Sequence, residues 1–328
     1  MNIVLATDNN FVRHCSVVIR SILMHNESVN IFILTEGLNE ENEHYLSGLG
    51  KDNSTVSIVN VPKSLVDDLP MSKHAAAHLS IATYYRLFVT SLLPENVDKV
   101  IYLDCDMVIL SSLQDLWNID ISDYALGAVY QNFEWSDYYC SWERLNIPRE
   151  MGYFNAGTLL MNLAYMRKND FQKQAIEFIR NHQEQIISHD QDVLNALFHG
   201  KALPISCRWN FTPLFDSYKY KKYKFPNIYS RFIEERKSKD FKPVIIPFAS
   251  KPKPWDYGCL SSYRGYYYEY LDKEHWGECI PKRNIKNWVK YNFINKIKDL
   301  ILECDFTGIL MKRKRKQLGL LEQKQTFM

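Results

Sequence analysis

Short apolar segments alternate with amphipathic segments at the start of the chain, and this alternation limits the fold more than any other feature. Strands are predicted at residues 2–6, 30–34 and 55–61, where Val, Ile, Leu and Phe cluster. Helices are predicted at residues 11–25 and 39–49, where apolar residues recur at helical spacing. Later in the chain, helices are predicted at residues 80–93 and 171–187 and a strand at residues 242–248. A β-α-β-α-β order is typical of parallel strands joined by helices. We therefore expect an α/β fold whose first half is a parallel, doubly wound sheet.

The composition is that of an ordinary globular protein and argues against several other classes. The 328 residues are 46% hydrophobic and 24% charged, which suits one large domain with an appendage, or two domains. Seven scattered cysteines without a C-x-x-C pair indicate reduced thiols, as in the cytoplasm, rather than disulfides or a zinc site. We expect neither a signal peptide nor a membrane span. No G-x-G-x-x-G follows the first strand, which weighs against a dinucleotide-dependent dehydrogenase.

Positive charge is concentrated near the C-terminus. Residues 281–328 contain twelve Lys or Arg and four Asp or Glu, whereas residues 1–280 contain 28 basic and 34 acidic residues. An aromatic and basic amphipathic helix is predicted at residues 284–310, and a Lys/Arg cluster follows at residues 312–316. This pattern favours binding to an anionic membrane surface. Nucleic acid is a weaker alternative, and a tail that is merely solvated is also left open.

Two aspartates follow a predicted buried strand in the middle of the chain. The apolar run at residues 99–103 is followed by Asp104-Cys105-Asp106, after which apolar sequence resumes. In an extended chain residues i and i+2 face the same side, so the two carboxylates would converge while Cys105 turns away. Neighbouring like charges raise each other's pKa, and bound Mg²⁺ or Mn²⁺ would offset that repulsion. The stretch suggests a metal-bridged nucleotide diphosphate site, and a solvated turn is the alternative.

Other polar residues near predicted strand and helix ends also have two interpretations. Asp8 and Asn10 follow the first strand and could pair with a uracil, or could cap the next helix. Arg86 is flanked by apolar and aromatic residues and could face an inner acid or phosphate, or face solvent. Asp190 and Gln191 lie in a first turn that opens the helix predicted at residues 193–198, and they could touch a reacting sugar, or merely complement the helix dipole.

Three further segments are candidates for ligand contact. Residues 153–157, Tyr-Phe-Asn-Ala-Gly, contain small residues that would let a ligand approach the backbone, although a plain turn would need them too. The aromatic segment at residues 131–149 could form a lid or a sugar platform, or cover a surface patch. Lys253 lies in the loop Lys-Pro-Lys-Pro-Trp at residues 251–255 and is well placed for a phosphate, although exposed lysines are common.

The order and spacing of these motifs resemble a family 8 glycosyltransferase, most closely the bacterial lipooligosaccharide galactosyl- and glucosyltransferases. The resemblance implies a GT-A-type, Rossmann-like nucleotide-diphospho-sugar transferase domain with a mixed, mainly parallel sheet. It also implies a UDP-glucose or UDP-galactose donor, Mn²⁺ or Mg²⁺ as cofactor and retention of the anomeric configuration. It runs from residue 2 to about residue 255 and rests on Asp8, Asn10, Arg86, Leu103-Asp104-Cys105-Asp106, Phe154-Asn155-Ala156-Gly157, Asp190-Gln191-Asp192 and Lys253-Pro254-Trp255.

The resemblance also implies roles for individual residues. Asp104 and Asp106 would ligate the metal, and Lys253 would bind a phosphate. Gln191 or Asp190 would stabilise the oxocarbenium-like state as the acceptor attacks from the face that UDP leaves. The remaining donor-site residues would be Ala6, Thr7, Asp8 and Asn10 near the uridine, His78, Leu79, Arg86, Cys105 and Ser250 along the site, and Asn155 and Ala156 near the hexose.

One position departs from the family pattern. The family usually has His-Phe/Tyr-x-Gly ahead of Lys-Pro-Trp, and that His is a metal ligand, whereas this chain has Pro247 and Ser250 at the two ends of the motif. Proline has no metal-binding side chain, so water or another group would complete the coordination, or metal affinity would fall. His189 and His199 are conceivable substitutes.

Two overall functions follow from the resemblance and from this departure. The first is a retaining hexosyltransferase that acts on a glycan or glycolipid acceptor such as lipopolysaccharide, at the cytoplasmic face of a bacterial membrane. In this case residues 1–280 would form the catalytic domain and residues 281–328 a membrane-associating tail. The second is a non-catalytic or weakly active protein that binds UDP-sugar or glycan on the same fold. Gln131 stands where some relatives have an acidic acceptor contact, so the acceptor could differ.

Overall fold

A seven-stranded sheet and a separate two-stranded sheet form the centre of the protein. The computed structural model describes residues 1–67, 69, 81–130, 141–212, 234–249 and 251–294. Most strand residues are buried, and more than half of the buried ones are Val, Ile or Leu, as expected for strands covered on both faces. The strands are β1 (Asn2–Ala6), β2 (Asn30–Thr35), β3 (Thr55–Asn60), β4 (Lys99–Leu103), β5 (Met107–Ile109), β6 (Leu126–Tyr130), β7 (Phe154–Asn162), β8 (Ala202–Pro204) and β9 (Ile245–Pro247).

The larger sheet is mixed and mainly parallel, as the resemblance implied. Its strand order is β3-β2-β1-β4-β7-β6-β8. β1 is parallel to both β2 and β4, β2 is parallel to β3, and β6 is parallel to β8, whereas β7 is antiparallel to both β4 and β6. The direction in which strands are added to the sheet reverses at β1. Open α/β sheets bind ligands beyond the carboxyl ends of strands at such a switch point. The ends of β1 and β4 are therefore the expected position of the site.

Helices connect the strands, and none of those described is long and apolar enough to cross a bilayer. The α-helices are α1 (Val12–His25), α2 (Glu40–Ser47), α3 (Val89–Leu92), α4 (Gln114–Trp117), α5 (Ser141–Arg144), α6 (Leu163–Lys168), α7 (Phe171–Asn181), α8 (His189–Phe198), α9 (Arg264–Tyr270), α10 (Lys273–Trp276) and α11 (Ile285–Val289). The 3₁₀-helices are Lys63–Leu65, Ile81–Phe88, Arg149–Met151, Gln183–Gln185 and Cys207–Asn210, and a π-helical turn, Lys290–Ile294, follows α11.

One helix differs in type from the prediction. The helix expected at residues 80–93 is a 3₁₀-helix, Ile81–Phe88, that ends in the single turn α3. A 3₁₀-helix aligns side chains three positions apart. Thr83 and Arg86 are such a pair, and both contact the carboxylate of Asp190. The tighter helix therefore directs two consecutive turns at one buried acid.

Several other boundaries also differ from the prediction. The helix expected from residue 171 to 187 ends at Asn181, and α8 begins four residues earlier than expected, at His189. The late strand expected at residues 242–248 is only Ile245–Pro247. The helix expected at residues 284–310 is described only from Ile285 to Ile294, and its last turn there is π-helical.

The two-stranded sheet brings two distant parts of the chain together. β5 pairs antiparallel with β9, and Met107 lies opposite Pro247. The same pairing continues beyond the strands, where the amide of Phe248 donates to the carbonyl of Asp106 at 2.7 Å. A small second core forms around this sheet from Val17, Val108, Ile246, Phe248 and Tyr267. The loop after β9 is thereby held beside the Asp104-Cys105-Asp106 segment.

Candidate active site

The two aspartates follow β4 as expected, but they lie in a bend between β4 and β5 and not in extended chain. β4 ends at Leu103 and β5 begins at Met107. The thiol of Cys105 is buried and donates to the carbonyl of Ala6 at 3.2 Å. Asp104 and Asp106 stay partly open to solvent, with 35% and 23% of their side chains exposed. Cys105 therefore turns away from the aspartates as expected, because of the bend and not because of strand alternation.

Arg86 faces the interior, so the inward interpretation of this residue is right. Its side chain is 5% exposed and lies with its guanidinium carbon 4.1 Å from the centre of the Tyr102 ring. Nη2 is 2.7 Å from Oδ1 of Asp104, and Nε is 2.9 Å from Oδ2 of Asp190. Nη1 donates to the carbonyl of Ala156. One arginine thus joins the end of β4, the start of β7 and the start of α8.

The acids around Arg86 interact electrostatically. Burial raises the pKa of Asp104 to about 6, although the charge of Arg86 acts in the opposite direction. The charges of Asp106 and Asp190 raise the pKa of Asp104 further. Burial likewise raises the pKa of Asp190, and Arg86 and the hydroxyl of Thr83 oppose this rise. The cluster is therefore rich in negative charge, and its ionised form depends on nearby cations.

Lys253 is buried against the second aspartate. Its Nζ lies 2.6 Å from Oδ2 of Asp106 and donates to the carbonyl of Phe248, also at 2.6 Å. Only 8% of Lys253 is exposed, so the commonplace solvated lysine is not what the structure contains. Trp255 stacks on His14 of α1 with 3.6 Å between the ring centres. Packing against α1 and Asp106 therefore fixes the loop that carries the lysine.

The start of β7 approaches Asp104 closely. The amide of Asp104 donates to the carbonyl of Gly157 at 2.9 Å. A Cβ atom on Gly157 would lie 2.9 Å from both Oδ2 of Asp104 and Oδ1 of Asn155, a distance that real Cβ contacts essentially never show. Oδ1 of Asn155 accepts from the amide of Gly157 and from Nδ2 of Asn210, both at 2.7 Å. The glycine is thus needed for close approach, as the small residues here predicted, although the close neighbour is a carboxylate of the protein.

Asp190 and Gln191 join the same cluster from the first turn of α8. Asp190 is 3% exposed and is held by Arg86 and Thr83. Gln191 is half-buried, and its Oε1 accepts from the amide of Ala156 at 3.0 Å. Both residues therefore have side-chain partners within the cluster, which a role limited to the helix dipole does not require.

The turn after β1 lies beside the same sheet edge. Oδ1 of Asp8 accepts from the amide of Asn10 at 2.9 Å, which closes a local turn. Phe11 is the residue before α1, and no side chain caps that helix, so the capping alternative for Asp8 and Asn10 is wrong. Thr7 is buried, whereas Asn10 is exposed. Ala6 connects this turn to the aspartate segment through the hydrogen bond from Cys105.

Some predicted residues lie outside the described residues, and some residues of the cluster were not predicted. His78, Leu79, Ser250, Gln131 and the aromatic residues up to 140 belong to the first group. Thr83 and Tyr102 belong to the second, whereas Tyr153 was named only as part of the candidate segment at residues 153–157. Only Thr83 had a local signal, because it precedes Arg86 by three positions in a buried helix.

The donor atoms of the aspartate pair suit a divalent cation. Asp104 and Asp106 offer carboxylate oxygens, which suit Mn²⁺ or Mg²⁺. Pro247 is buried within β9 and has no ligand atom in its side chain. Across the part of the chain that the structure describes, no three His, Cys, Asp or Glu come together as a metal-binding group. The aspartate pair thus fits a hard cation whose other ligands come from a bound molecule or water.

Comparison with known proteins identifies the family. The family model described as glycosyl transferase family 8 matches residues 2–259. General stress protein A of Bacillus subtilis is 27% identical over 288 residues, which cover 84% of this chain and 94% of that protein. A putative glycosyltransferase of Haemophilus influenzae is 34% identical over 216 residues, 65% of this chain and 64% of that one. The lipopolysaccharide 1,3-galactosyltransferase of Salmonella typhimurium is 25% identical and is covered to 80%, against 85% of this chain.

A solved structure has the same fold. The galactosyltransferase LgtC, crystallised with donor and acceptor sugar analogues, superposes with a TM-score of 0.73 and is 26% identical. The match covers 85% of this chain and all of that one. The fold neighbour, the relatives and the family model agree with the motifs quoted from the sequence. This chain belongs to glycosyl transferase family 8 and is a glycosyltransferase.

Proposed function

We propose that this glycosyltransferase moves glucose or galactose from a UDP-sugar to a glycan or glycolipid acceptor, such as lipopolysaccharide, with retention of the anomeric configuration. The observation that carries the proposal is the cluster of Asp104, Asp106, Arg86 and Lys253 at the carboxyl end of β4. Two carboxylates and two cations at the switch point of the sheet suit a diphosphate and its counter-ion. Similarity to a lipopolysaccharide 1,3-galactosyltransferase supports the same class of reaction.

Each end of the donor would meet residues of suitable chemistry. Asp8 and Asn10, in the turn after β1, offer an acceptor and an amide for the uracil. Lys253 and Arg86 would bind the diphosphate and neutralise part of its charge. Asp104 and Asp106 would hold Mn²⁺ or Mg²⁺, which supplies Lewis-acid stabilisation of the departing UDP. The charge of Arg86 would also favour the ionised form of Asp104 for this task.

Gln191 is the better candidate for the residue that faces the anomeric carbon. Asp190 is almost fully buried, and its carboxylate is engaged by Arg86 and Thr83. Gln191 is more exposed to solvent than Asp190. Its side chain extends from α8 to β7, where its Oε1 accepts a hydrogen bond from the amide of Ala156. We assign to Gln191 the stabilisation of the oxocarbenium-like state, and to Asp190 the orientation of Arg86.

The proposal is tested with purified protein, Mn²⁺ and either UDP-glucose or UDP-galactose, by measuring released UDP. Asp104→Asn should lower turnover by about 100-fold or more and weaken metal-dependent UDP binding, because the carboxylate charge is lost. Asp115→Asn, at an exposed acid in the first turn of α4, is the matched control and should keep normal turnover. Failure of the wild type to bind or turn over either sugar nucleotide would contradict the proposal.

Pro247 keeps a second candidate function open, namely a UDP-sugar or glycan-binding protein without significant turnover. The observation in its favour is that β9 presents a proline where the family's metal-binding histidine is expected. Calorimetry separates the two functions. UDP binding without turnover in the wild type, and also in Pro247→His, would favour the binding protein, whereas turnover in the wild type favours the transferase.

We also propose that residues 281–328 dock on the anionic inner face of the cytoplasmic membrane, with residues 1–280 as the catalytic domain. In the described part of this tail, Ile285, Phe293 and Ile294 are 57%, 54% and 45% exposed. Lys282 and Lys286 are exposed on the same segment. Exposed apolar side chains between lysines suit a lipid headgroup region better than a nucleic acid.

A further inference from the structure

Asp192 is a fully buried carboxylate that the proposed reaction does not use directly. Its Oδ2 accepts from the amides of Ile187 and Ser188, at 2.7 and 2.8 Å, and from Nη1 of Arg144 at 2.8 Å. Its Oδ1 accepts from Nη2 of Arg144 at 3.2 Å and from the hydroxyl of Tyr153 at 2.7 Å. Two backbone amides, two nitrogens of one guanidinium and one hydroxyl donate to this carboxylate, so both of its oxygens act as acceptors.

The hydrogen bond between Tyr153 and Asp192 sets the direction of the next one. The hydroxyl of Tyr153 donates to Oδ1 of Asp192, so its hydrogen points at Asp192. The oxygen of Tyr153 can then only accept from its other neighbour, which is Nε2 of Gln191 at 3.3 Å. Since Nε2 faces Tyr153, the oxygen of the same amide faces the opposite way. There it accepts from the backbone amide of Ala156 at 3.0 Å.

We infer that Tyr153 is a positioning residue for Gln191, acting on the orientation that Asp192 imposes on its hydroxyl. The inference rests on the function proposed above, in which Gln191 faces the reacting hexose. A half-turn of the Gln191 amide would place its NH₂ group against the N–H of Ala156 and lose both hydrogen bonds. The hydrogen bonds from Tyr153 to Asp192 and from Gln191 to Tyr153, called the relay below, thus determine which way the side-chain amide of Gln191 faces.

The relay also ties Gln191 to Arg86. Ala156 donates its amide to Gln191, and its carbonyl accepts from Nη1 of Arg86. One backbone residue therefore fixes the separation of two side chains that would act on the donor. Loss of the Tyr153 hydroxyl would release one end of the Gln191 amide while the ring of Tyr153 stays packed, which makes the phenylalanine substitution a selective change.

The test compares Tyr153→Phe with Tyr130→Phe. Tyr130 is also buried, at 3% exposure, and its hydroxyl donates to the carbonyl of Ala202 at 3.1 Å, away from Gln191. Release of UDP from UDP-galactose and UDP-glucose is measured with water as acceptor. Tyr153→Phe should lower kcat about tenfold, with KM and the Kd for UDP within about twofold of the wild type. Tyr130→Phe should keep the wild-type kcat.

A second readout does not depend on turnover. The side-chain amide resonance of Gln191, assigned by its loss in Gln191→Glu, should shift in Tyr153→Phe and stay in place in Tyr130→Phe. An unchanged resonance overturns the inference, as does an equal effect of the two tyrosine variants on kcat. A parallel loss of kcat and UDP affinity in Tyr153→Phe also overturns it. If the wild type releases no UDP, the proposed function fails, and the resonance alone decides whether Tyr153 orients Gln191.

Discussion

At the scale of single residues, each carboxylate of the aspartate pair already has a cation of the protein beside it. Arg86 lies 2.7 Å from Asp104, and Lys253 lies 2.6 Å from Asp106. A bound divalent cation would repel both. Arg86 has several partners in the protein, whereas the ammonium of Lys253 lies at the end of a long aliphatic chain. We therefore expect Lys253, and not Arg86, to move away from its aspartate when a divalent cation binds.

Lys253→Met should therefore have opposite effects on two ligands. Without nucleotide, Mn²⁺ should bind several-fold more tightly, because Asp106 loses a competing positive charge. UDP should bind about tenfold more weakly, because a charge-assisted hydrogen bond to phosphate is lost. Calorimetry with each ligand separately measures both affinities. Lys251→Met, at an exposed lysine two positions away, is the control and should change neither. A loss of affinity for both ligands in Lys253→Met would contradict competition at Asp106.

Some contacts of the site residues could be predicted from the sequence, and others could not. The types of Asp104, Asp106, Arg86, Asp190 and Gln191 pointed to sugar-nucleotide chemistry, and the structure brings Arg86 into contact with two of the acids. The contact between Tyr153 and Asp192 had no local signal, because it joins residues 39 positions apart in different elements. The strand-alternation argument for Asp104 and Asp106 was wrong in its premise, since backbone bends occupy that position.

At the scale of elements, the segments with strong periodicity were predictable and the others were not. β1, β2 and β3 lie at or within a residue of their expected bounds, because their apolar runs are short and flanked by polar turns. The direction of β7 could not be predicted, since a strand buried on both faces has the same pattern in either direction. The 3₁₀-helix Ile81–Phe88 depends on Asp190, which is 104 positions beyond Arg86 in the chain.

Helix α1 and the loop around Lys253 meet at a buried histidine. His14 stacks on Trp255, and its Nδ1 lies 2.8 Å from the hydroxyl of Tyr267. Burial lowers the pKa of His14 to about 3, and the charges of Arg13 and Lys253 act in the same direction. The unfolded chain therefore binds a proton that the folded protein rejects between about pH 3 and pH 6.5. Stability contributed by neutral His14 is complete above that range and is lost as the pH falls.

The free energy of unfolding should thus fall with decreasing pH below about 6.5, by up to about 1.4 kcal/mol per pH unit from His14. His14→Phe keeps a ring against Trp255 but cannot be protonated, so this part of the pH dependence should disappear. Urea unfolding of both proteins at about pH 5 and pH 7 measures the difference. His44→Phe, at an exposed position on α2, should retain the wild-type pH dependence. Identical pH dependence in the wild type and His14→Phe would show that His14 does not contribute.

At the scale of the whole molecule, the start of the basic C-terminal segment packs against the loop that follows Lys253. Trp288 and Asn292 lie against Gly258, where a Cβ would come within 2.8 Å of the Trp288 ring, and Asn292 donates to the Gly258 carbonyl at 3.2 Å. Gly258 is five residues beyond Lys253 and has a φ of +93°, which a glycine adopts without strain. The proposed membrane-binding segment is thus packed, where it starts, on the loop that contains Gly258.

Membrane docking is tested by charge reversal in the full chain. Lys282→Glu combined with Lys286→Glu should lower binding to phosphatidylglycerol vesicles by about tenfold or more, because each lysine near an anionic surface contributes about 1 kcal/mol. Lys237→Glu with Lys239→Glu makes the same change in net charge at exposed positions elsewhere and should have a much smaller effect. Vesicle sedimentation gives the bound fractions, and UDP binding should be unchanged in both. Equal losses in the two double variants would refute docking through this segment.

The pairing of β5 with β9 has a consequence for synthesis of the protein. Residues 107–109 leave the ribosome long before residues 245–247. More than a hundred residues are therefore translated before β5 can pair with β9. Asp106 meets the ammonium of Lys253 only after that interval. A nascent chain that is halted before residue 253 can already contain β1 and β4, but Asp106 then lacks its ammonium partner. The charge pair at the end of β4 is therefore completed only late in translation.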